Sequence, residues 1–127
     1  MSETLTRGVR VRVKTAYVAD RSSPPQSQYF FAYHVRIANE GDETVQLVSR
    51  HWIITDGDGQ EEQVKGPGVV GEQPVLAPGE SFEYTSFCPL RTPIGSMHGT
   101  YQMVTPEGSQ FDATIAPFSL AVPTALN

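Results

Sequence analysis

Strict alternation of apolar and basic residues near the start of the chain is the feature that most restricts its fold. Residues 9–14 read Val-Arg-Val-Arg-Val-Lys, so an extended chain carries three valines on one side and three basic side chains on the other. A period of two fits a half-buried β-strand, whereas one face of a helix needs apolar residues three and four apart. Residues 29–39 repeat the pattern, with apolar side chains at every second position from Phe31 to Ile37. The sequence therefore predicts β-strands in both segments.

Clusters of glycine and proline separate stretches that are rich in β-branched and aromatic residues. Eleven glycines and ten prolines are present, and many fall in segments of turn composition such as residues 22–25, 56–59, 77–80 and 105–108. No window of about ten residues has the apolar spacing of a helix. The predicted strands cover residues 7–14, 29–39, 45–55, 60–65, 82–88, 100–104 and 110–116.

About seven to eight short strands without a substantial helix predict an all-β fold. The expected architecture is an antiparallel β-sandwich of immunoglobulin-like or fibronectin type III-like plan, in which Trp52 of the third predicted strand packs between the sheets. A chain of 127 residues suits a single domain over residues 1–127, with an ordered core of about residues 6–122 and loose ends. Cys88 is the lone cysteine, so no internal disulfide forms and an antibody-type domain is disfavoured.

The charge of the chain is acidic overall and unevenly distributed. Nine basic and fourteen acidic residues give a net charge of −5, which opposes binding to the phosphate backbone of nucleic acids. Residues 1–21 carry five basic and two acidic side chains, whereas residues 40–62 carry seven acidic and one basic. Two interpretations stay open. The basic residues of the first strand coat a solvated sheet face opposite acidic neighbours, or the acidic segment attracts a basic partner protein.

Nothing in the sequence indicates a membrane or secretory protein. No apolar run reaches the roughly 18 to 20 residues that span a bilayer. The first residues, Met-Ser-Glu-Thr-Leu-Thr, lack the basic and then apolar layout of a secretory signal. We therefore expect a cytoplasmic protein without membrane association.

Residues 66–71 read Gly-Pro-Gly-Val-Val-Gly, a GxGxxG string that makes Gly66, Gly68 and Gly71 the candidate ligand-binding residues. In dinucleotide-binding proteins such a string opens a helix whose N-terminus holds the pyrophosphate. Here the two valines are strand-like, and the proline removes one amide donor. A structural loop is therefore the favoured interpretation, and contact with an anion or nucleotide is the alternative.

Metal binding has two weak candidates. Residues 56–62 read Asp-Gly-Asp-Gly-Gln-Glu-Glu, which offers carboxylates for a hard cation but fails the spacing of a calcium loop. The Asp-Gly pairs favour a tight hairpin turn instead. His34 and His51 lie in strands that could be neighbours, and His98 follows Cys88 by ten residues, but these separations match no ligand motif. No metal site is predicted, and convergence of these side chains stays open.

Catalytic chemistry has no candidate in this sequence. Ser86 and Cys88 lack a surrounding motif that would supply a base or an electropositive setting. We therefore predict no catalytic residue, no cofactor and no enzymatic activity. Apolar residues at 69–70 and 90–97 lie in predicted loops, where they either contact a partner or cap the core of the sandwich.

Several long strings resemble the bacterial ApaG family, also called CorD. They are Ser-Arg-His-Trp-Ile-Ile-Thr-Asp at residues 49–56, the segment 68–86 with Leu-Ala-Pro-Gly-Glu-Ser-Phe at its centre, residues 89–103 and Ala-Pro-Phe-Ser-Leu at residues 116–120. The resemblance covers nearly the whole chain. It implies a fibronectin type III-like β-sandwich, in agreement with the fold expected from the strand pattern.

The resemblance also carries expectations about function. Similar domains are appended to some eukaryotic F-box proteins and to a polymerase-interacting protein, which implies a module that binds an unidentified protein partner. Family members are associated with cobalt tolerance and magnesium efflux, and the family name is linked to diadenosine tetraphosphate metabolism. We therefore expect a non-enzymatic protein-binding module. Nucleotide or pyrophosphate binding, or hydrolysis, through residues 66–71 and direct divalent-metal binding are the alternatives.

Overall fold

Nine strands form within residues 1–126, the part of the chain that the computed structural model describes. They are β1 (Ser2–Thr6), β2 (Val9–Tyr17), β3 (Tyr29–Asn39), β4 (Val45–Asp56), β5 (Glu61–Pro67), β6 (Val75–Leu76), β7 (Ser81–Leu90), β8 (Ile94–Val104) and β9 (Gln110–Ala121). Three short 3₁₀ helices cover Ala19–Arg21, Pro24–Gln26 and Pro123–Leu126. Within residues 1–126, none of the helices has the length and apolar character needed to cross a membrane.

The strands are arranged in two antiparallel sheets. The first sheet has the order β1-β2-β3-β7 and the second has the order β5-β4-β8-β9, with the two-residue β6 paired to the start of β4. At one side β1 lies against β9, where the amide of Thr114 donates to Thr6 Oγ1 at 3.2 Å. At the other side β7 and β5 are the outer strands of their sheets. This strand plan confirms the expected sandwich of fibronectin type III-like type.

The alternating pattern of β2 explains how the first sheet forms. Its register with β3 sets Val11 opposite Ile37 and Val13 opposite Val35, and all four side chains are at most 1% exposed. Burying each of these side chains contributes roughly 1.5–3 kcal/mol. A shift by one residue would move the valines to solvent and the basic residues into the core, so the alternation fixes the register.

Trp52 joins the two sheets at the centre of the core, as its position in the sequence predicts. The indole belongs to β4 of the second sheet and is 2% exposed. Its ring centroid lies 5.3 Å from that of Tyr33 in the first sheet, 5.9 Å from that of Phe118 and 6.2 Å from that of Tyr101. Among the described residues, Trp52 Nε1 has no hydrogen-bond acceptor.

Some predicted boundaries are wrong. The segment before Thr6 is not loose, because Ser2–Thr6 form β1 along the edge of β2. Strand β8 begins at Ile94 rather than at residue 100, and β9 continues to Ala121 rather than ending at residue 116. Residues 123–126 form a 3₁₀ helix where a loose end was expected, and Asn127 lies outside the described residues. These segments contain polar, glycine or proline residues, so their local composition is not typical of a strand, and pairing with neighbouring strands stabilises them instead.

Candidate functional site

The glycine string of residues 66–71 leads into a two-residue hairpin rather than a helix. Val69 and Glu72 pair through reciprocal amide-to-carbonyl bonds of 2.8 and 2.9 Å. The two residues between them, Val70 and Gly71, have φ of +43° and +82°. Positive φ at both central residues is the pattern of a type I′ turn. The favoured interpretation of this segment as a structural loop agrees with this geometry.

Gly68 lies where the backbone passes too close for a larger residue, and Gly66 lies in tight contact with the Arg50 side chain. A Cβ at Gly68 would lie 2.1 Å from the carbonyl oxygen of Glu72. A Cβ at Gly66 would lie 3.1 Å from the guanidinium of Arg50, whose Nη1 donates to the carbonyls of Pro67 and Gly68 at 2.9 Å. Gly68 therefore has a structural reason for its presence that is independent of any ligand, whereas at Gly66 a small shift of the Arg50 side chain would make room for a Cβ.

Few backbone amides of this segment are available to an anion. The amide of Gly68 donates to a carbonyl of β4 at 2.8 Å. The amide of Val69 donates to the carbonyl of Glu72, and the amide of Glu72 donates to the carbonyl of Val69. Between Gly68 and Glu72, only Val70 and Gly71 have amides without a backbone acceptor. A phosphate site built from backbone needs several converging amides. The structure brings the three candidate glycines into one segment without forming such a cradle.

Val70 is strained, and relieving the strain is expected to stabilise the fold. The left-handed region costs a non-glycine residue roughly 1–2 kcal/mol, and a β-branched residue is an outlier there. Asparagine tolerates this conformation, so Val70→Asn should raise the free energy of unfolding by about 1 kcal/mol in urea titrations. Val75→Asn is the matched control, since the two valines are 57% and 58% exposed. An equal gain in both variants, or a loss in Val70→Asn, would contradict this explanation.

The acidic segment of residues 56–62 begins with the hairpin turn that its sequence predicts. The carboxylate of Asp56 accepts the amides of Asp58 and Gln60, both at 2.9 Å. The amide of Gly59 donates to the carbonyl of Asp56 at 3.1 Å, and Gly59 has a φ of +82°. One carboxylate oxygen of Asp56 is therefore engaged in holding the turn between β4 and β5.

The histidines do not converge. His34 lies on β3 of the first sheet and His51 on β4 of the second, so the expectation that their strands could be neighbours is wrong. His51 Nε2 instead contacts Gln63 Oε1 at 2.9 Å on the adjacent strand. Within residues 1–126, no group of three His, Cys, Asp or Glu side chains is placed to hold a metal ion.

His34 takes part in a hydrogen-bonded row on the outer face of the first sheet. Its Nε2 donates to Glu83 Oε1 and its Nδ1 contacts Thr85 Oγ1, both at 2.9 Å. The order hydroxyl, imidazole, carboxylate is that of an activated nucleophile. Here, however, the row lies on an open sheet surface, and the side chains of His34 and Glu83 are about half exposed, so water reaches both.

Cys88 is buried and protonated. The thiol is 3% exposed, and burial raises its pKa to about 12, with a smaller contribution from the charge of Glu62. Because the thiolate is the reactive form, we expect a disulfide reagent at pH 8 to modify the native protein at least about 100-fold more slowly than the urea-unfolded protein. Release of the coloured thiolate measures both rates. Equal rates would show that the thiol is accessible in the native state.

A groove of about 1060 Å³ opens at one end of the sandwich, between the β4–β5 turn and the ends of β3 and β7. We call it the end groove. Four carboxylates from the β4–β5 hairpin line it, and they belong to Asp56, Asp58, Glu61 and Glu62. The apolar residues Tyr29, Ile54 and Leu90 line it as well.

Arginine and aromatic side chains line the other part of the end groove. They are Arg21, Phe30 and Arg91, and Pro89 also lines the groove. The guanidinium of Arg21 lies 4.6 Å from the ring centroid of Phe30, a cation–π distance. Four carboxylates therefore share the groove with two guanidiniums, one of which is held against an aromatic ring. The acidic excess of residues 40–62 indicates part of this surface, but the sequence gives no sign of the rest.

Some of the apolar residues at 69–70 and 90–97 cap the core, and others are exposed and available to a partner. Val69, Leu90 and Met97 are buried and contribute to the core, whereas Val70 and Ile94 are exposed. Residues 94–97 belong to β8 rather than to a loop. Neither segment forms a continuous apolar patch by itself.

A family model and several relatives match most or all of the chain. A family model described as ApaG domain, DUF525, matches residues 19–105. Protein ApaG of Anaeromyxobacter dehalogenans (strain 2CP-C) is 56% identical over 127 residues, covering 100% of both chains. Protein ApaG of Bordetella pertussis (strain Tohama I) is 56% identical over 92% of this chain and 89% of its own. The crystal structure of the putative ApaA protein from Bordetella pertussis has a TM-score of 0.89 at 56% identity, covering 91% of this chain and 94% of that one.

Proposed function

The chain belongs to the ApaG domain family, and on that premise we propose that it is a non-enzymatic binding module that engages a protein partner through the end groove. The observation that carries this proposal is the composition of the groove. Carboxylates, apolar side chains and an arginine–aromatic pair meet in one concave surface. Protein interfaces combine these features, with apolar contacts for affinity and charges for orientation.

The charge of the groove favours a basic partner segment. Four carboxylates outnumber two guanidiniums among its lining residues, and Arg21 already interacts with Phe30. An extended segment with lysine or arginine side chains for the β4–β5 hairpin and one apolar side chain near Leu90 fits this chemistry. Complementary charge of this kind accelerates association and selects partners more than it adds affinity.

The two alternative functions have less support from the geometry. Nucleotide or pyrophosphate binding at residues 66–71 would depend on a hairpin with two unbonded amides and no helix. Direct divalent-metal binding would need side chains that the described residues do not bring together. Under the proposal made here, the family's association with cobalt tolerance and magnesium efflux is indirect and is exerted through the protein partner.

Photo-crosslinking in the organism that encodes the chain tests the proposal. Benzoylphenylalanine replaces Gln60 at the end groove in one variant and Gln110 in the control. Gln110 begins β9 at the opposite end of the sandwich, and both residues are exposed. We expect one discrete protein adduct from position 60, joined at a basic segment, and none from position 110.

Charge reversal in the crosslinking variant provides the second control. Glu61→Lys with Glu62→Lys should abolish the adduct while the far-ultraviolet circular dichroism and thermal midpoint confirm folding. The absence of any discrete adduct from position 60, or the same adducts from both positions, would contradict the proposal. An adduct that survives charge reversal would show that the carboxylates do not select the partner.

A further inference from the structure

Basic side chains meet on the outer face of the first sheet, in the middle of two neighbouring strands. The register sets Arg12 of β2 opposite Arg36 of β3 and Lys14 opposite His34. We call these four residues, with Arg10, the basic face. Like charges directly opposite each other destabilise a sheet, so the arrangement has a cost that the fold itself does not require.

Carboxylates at the edge of the basic face compensate part of its charge. Arg10 donates through Nε and Nη2 to Glu40 at 2.7 and 3.0 Å, and its Nη1 lies 3.4 Å from Glu3. Glu3 also accepts a hydrogen bond from Arg12 Nε. The hydrogen bond from Arg10 lowers the pKa of Glu40, and neighbouring positive charges lower it further. Both carboxylates are therefore already paired with arginines.

Two positive charges of the basic face remain without a bound carboxylate. In the part of the chain that the structure describes, neither Lys14 nor Arg36 forms an ion pair. Glu83 lies opposite Arg36 in the register, but its carboxylate accepts from His34. That hydrogen bond, and then the charges of His34, Arg36 and Lys14, lower the pKa of Glu83. A local excess of positive charge thus persists in a chain of net charge −5.

An exposed aromatic pair continues the same face of the sheet. Phe87 of β7 is 47% exposed and lies opposite Ala32 of β3. Ala32 is two residues before His34 on the same strand. Its ring stacks with that of Phe30 at a centroid distance of 5.5 Å. The guanidinium of Arg21 lies within 5.4 Å of both rings. Apolar and cationic groups therefore adjoin each other along one open surface.

We propose that the basic face and the adjoining Phe30–Phe87 pair form a second interaction surface, for an extended acidic segment of a partner protein with one apolar side chain. Carboxylates of the segment would pair with Lys14 and Arg36, and its apolar side chain would rest on Phe87. This surface adjoins the end groove, because Phe30 and Arg21 belong to both. Lys14 and Arg36 lie outside the groove lining and attract a partner of the opposite charge, so substitution of Lys14 tests this proposal independently of the groove.

Single-stranded nucleic acid fits this surface less well than an acidic protein segment. Binding of bases needs aromatic rings with an open face, whereas Arg21 and Phe87 both contact the ring of Phe30. The carboxylates of Glu3, Glu40 and Glu83 lie within the same area. They repel a backbone that carries a charge at every nucleotide, whereas a protein segment can place carboxylates only where Lys14 and Arg36 pair with them.

The test uses the full chain and three labelled probes followed by fluorescence anisotropy at low salt. The probes are a glutamate-rich peptide with a single phenylalanine, the same peptide with alanine in place of phenylalanine, and single-stranded oligothymidine. Lys14→Glu is the test variant. The chain has only one other lysine, so Lys65→Glu is a matched control with the same change in charge on the second sheet.

We expect the phenylalanine-containing peptide to bind saturably and its alanine counterpart to bind more weakly. Lys14→Glu should weaken binding about tenfold, equivalent to about 1.4 kcal/mol, and Lys65→Glu less than about twofold. Equal weakening by both variants would reduce the effect to net charge and overturn the proposal. The absence of saturable peptide binding, or tighter binding of oligothymidine than of the peptide, would also overturn it. Lys14→Arg keeps the positive charge, so we expect this variant to bind the peptide as tightly as the unchanged protein does. Loss of binding in Lys14→Arg would show that the charge at position 14 is not what the peptide recognises.

Discussion

Gly99→Ala is expected to abolish or severely weaken folding of the second sheet. Gly99 lies on β8 directly opposite Trp52 of β4, next to an irregularity in its pairing with β9. A Cβ at this position would lie 2.0 Å from the carbonyl oxygen of His51 and 3.1 Å from the Cα of Trp52. The obstructing atoms are backbone at the centre of the sheet, so they cannot move without breaking the β4–β8 pairing.

The expected loss in the free energy of unfolding is more than about 3 kcal/mol, at or beyond the usual range for overpacking. Gly108→Ala is the control, because its φ of +84° is unfavourable for alanine but nothing lies within 4 Å of the added Cβ. That variant should lose about 1 kcal/mol. Urea unfolding followed by circular dichroism measures both variants. A similar loss in the free energy of unfolding for both variants would show that the backbone around residue 99 moves to accept a Cβ without additional cost.

Trp52→Ala is expected to remove about 3–5 kcal/mol from the free energy of unfolding, the usual cost of deleting a large buried aromatic side chain. The indole contacts Tyr33 across the sheets and Phe118 and Tyr101 within the second sheet. Its removal would leave a cavity where the layers meet. Since single domains have only about 5–15 kcal/mol of stability, this variant should lose a large share of it and unfold at a clearly lower urea concentration.

Trp52→Phe separates the packing of the ring from its polar atom. Trp52 Nε1 is buried without an acceptor among the described residues, and an unpaired buried donor costs about 1–3 kcal/mol. Phenylalanine keeps an aromatic ring in the site and removes that donor. We therefore expect Trp52→Phe to lose less than half of what Trp52→Ala loses in urea titrations. A loss below about 1 kcal/mol in the alanine variant would show that the indole does not hold the sheets together.

The fold was predictable where hydrophobic periodicity is strong. The valines of β2 stand at every second position, as do the apolar residues of β3 from Phe31 to Ile37, and the structure buries both sets. Burial of one sheet face leaves a period of two in the sequence, so these strands and the face that each buries can be read from it. Trp52 was also placed correctly, because a large aromatic residue inside a strand pattern has few positions other than the core.

Strands that depend on tertiary pairing could not be found in the same way. Strand β1 has mostly polar side chains and lies at the edge of its sheet, so its composition matches that of a loose terminus. The first half of β8 contains Gly95 and Gly99, which usually indicate a turn. In the structure both glycines permit close approach to β4. A Cβ added at Gly95 would lie 2.7 Å from a carbonyl oxygen of that strand, and a Cβ added at Gly99 would lie 2.0 Å from another. Close packing requires glycine there, and a single sequence gives no signal of it.

The candidate site was only partly visible in the sequence. The acidic excess of residues 40–62 indicated one part of the end groove, and the GxGxxG string drew attention to a segment whose glycines serve the hairpin. Residues from the start of β3 and the end of β7 complete the groove, and they are far from the acidic hairpin along the chain. Such convergence arises from topology, so it has no local sequence pattern.

One series of amide NMR spectra tests the central claim that the chain binds protein at the end groove and not nucleotide at the glycine string. The labelled protein is titrated with ATP, with a dinucleoside polyphosphate, with Mg²⁺ and Co²⁺, and with a lysine-rich peptide carrying one leucine. We expect saturable shifts for the peptide at residues 56–62 and 26–30, with no saturable shifts at residues 66–71 for either nucleotide. Saturable nucleotide shifts confined to residues 66–71, with none at the groove for the peptide, would contradict that claim.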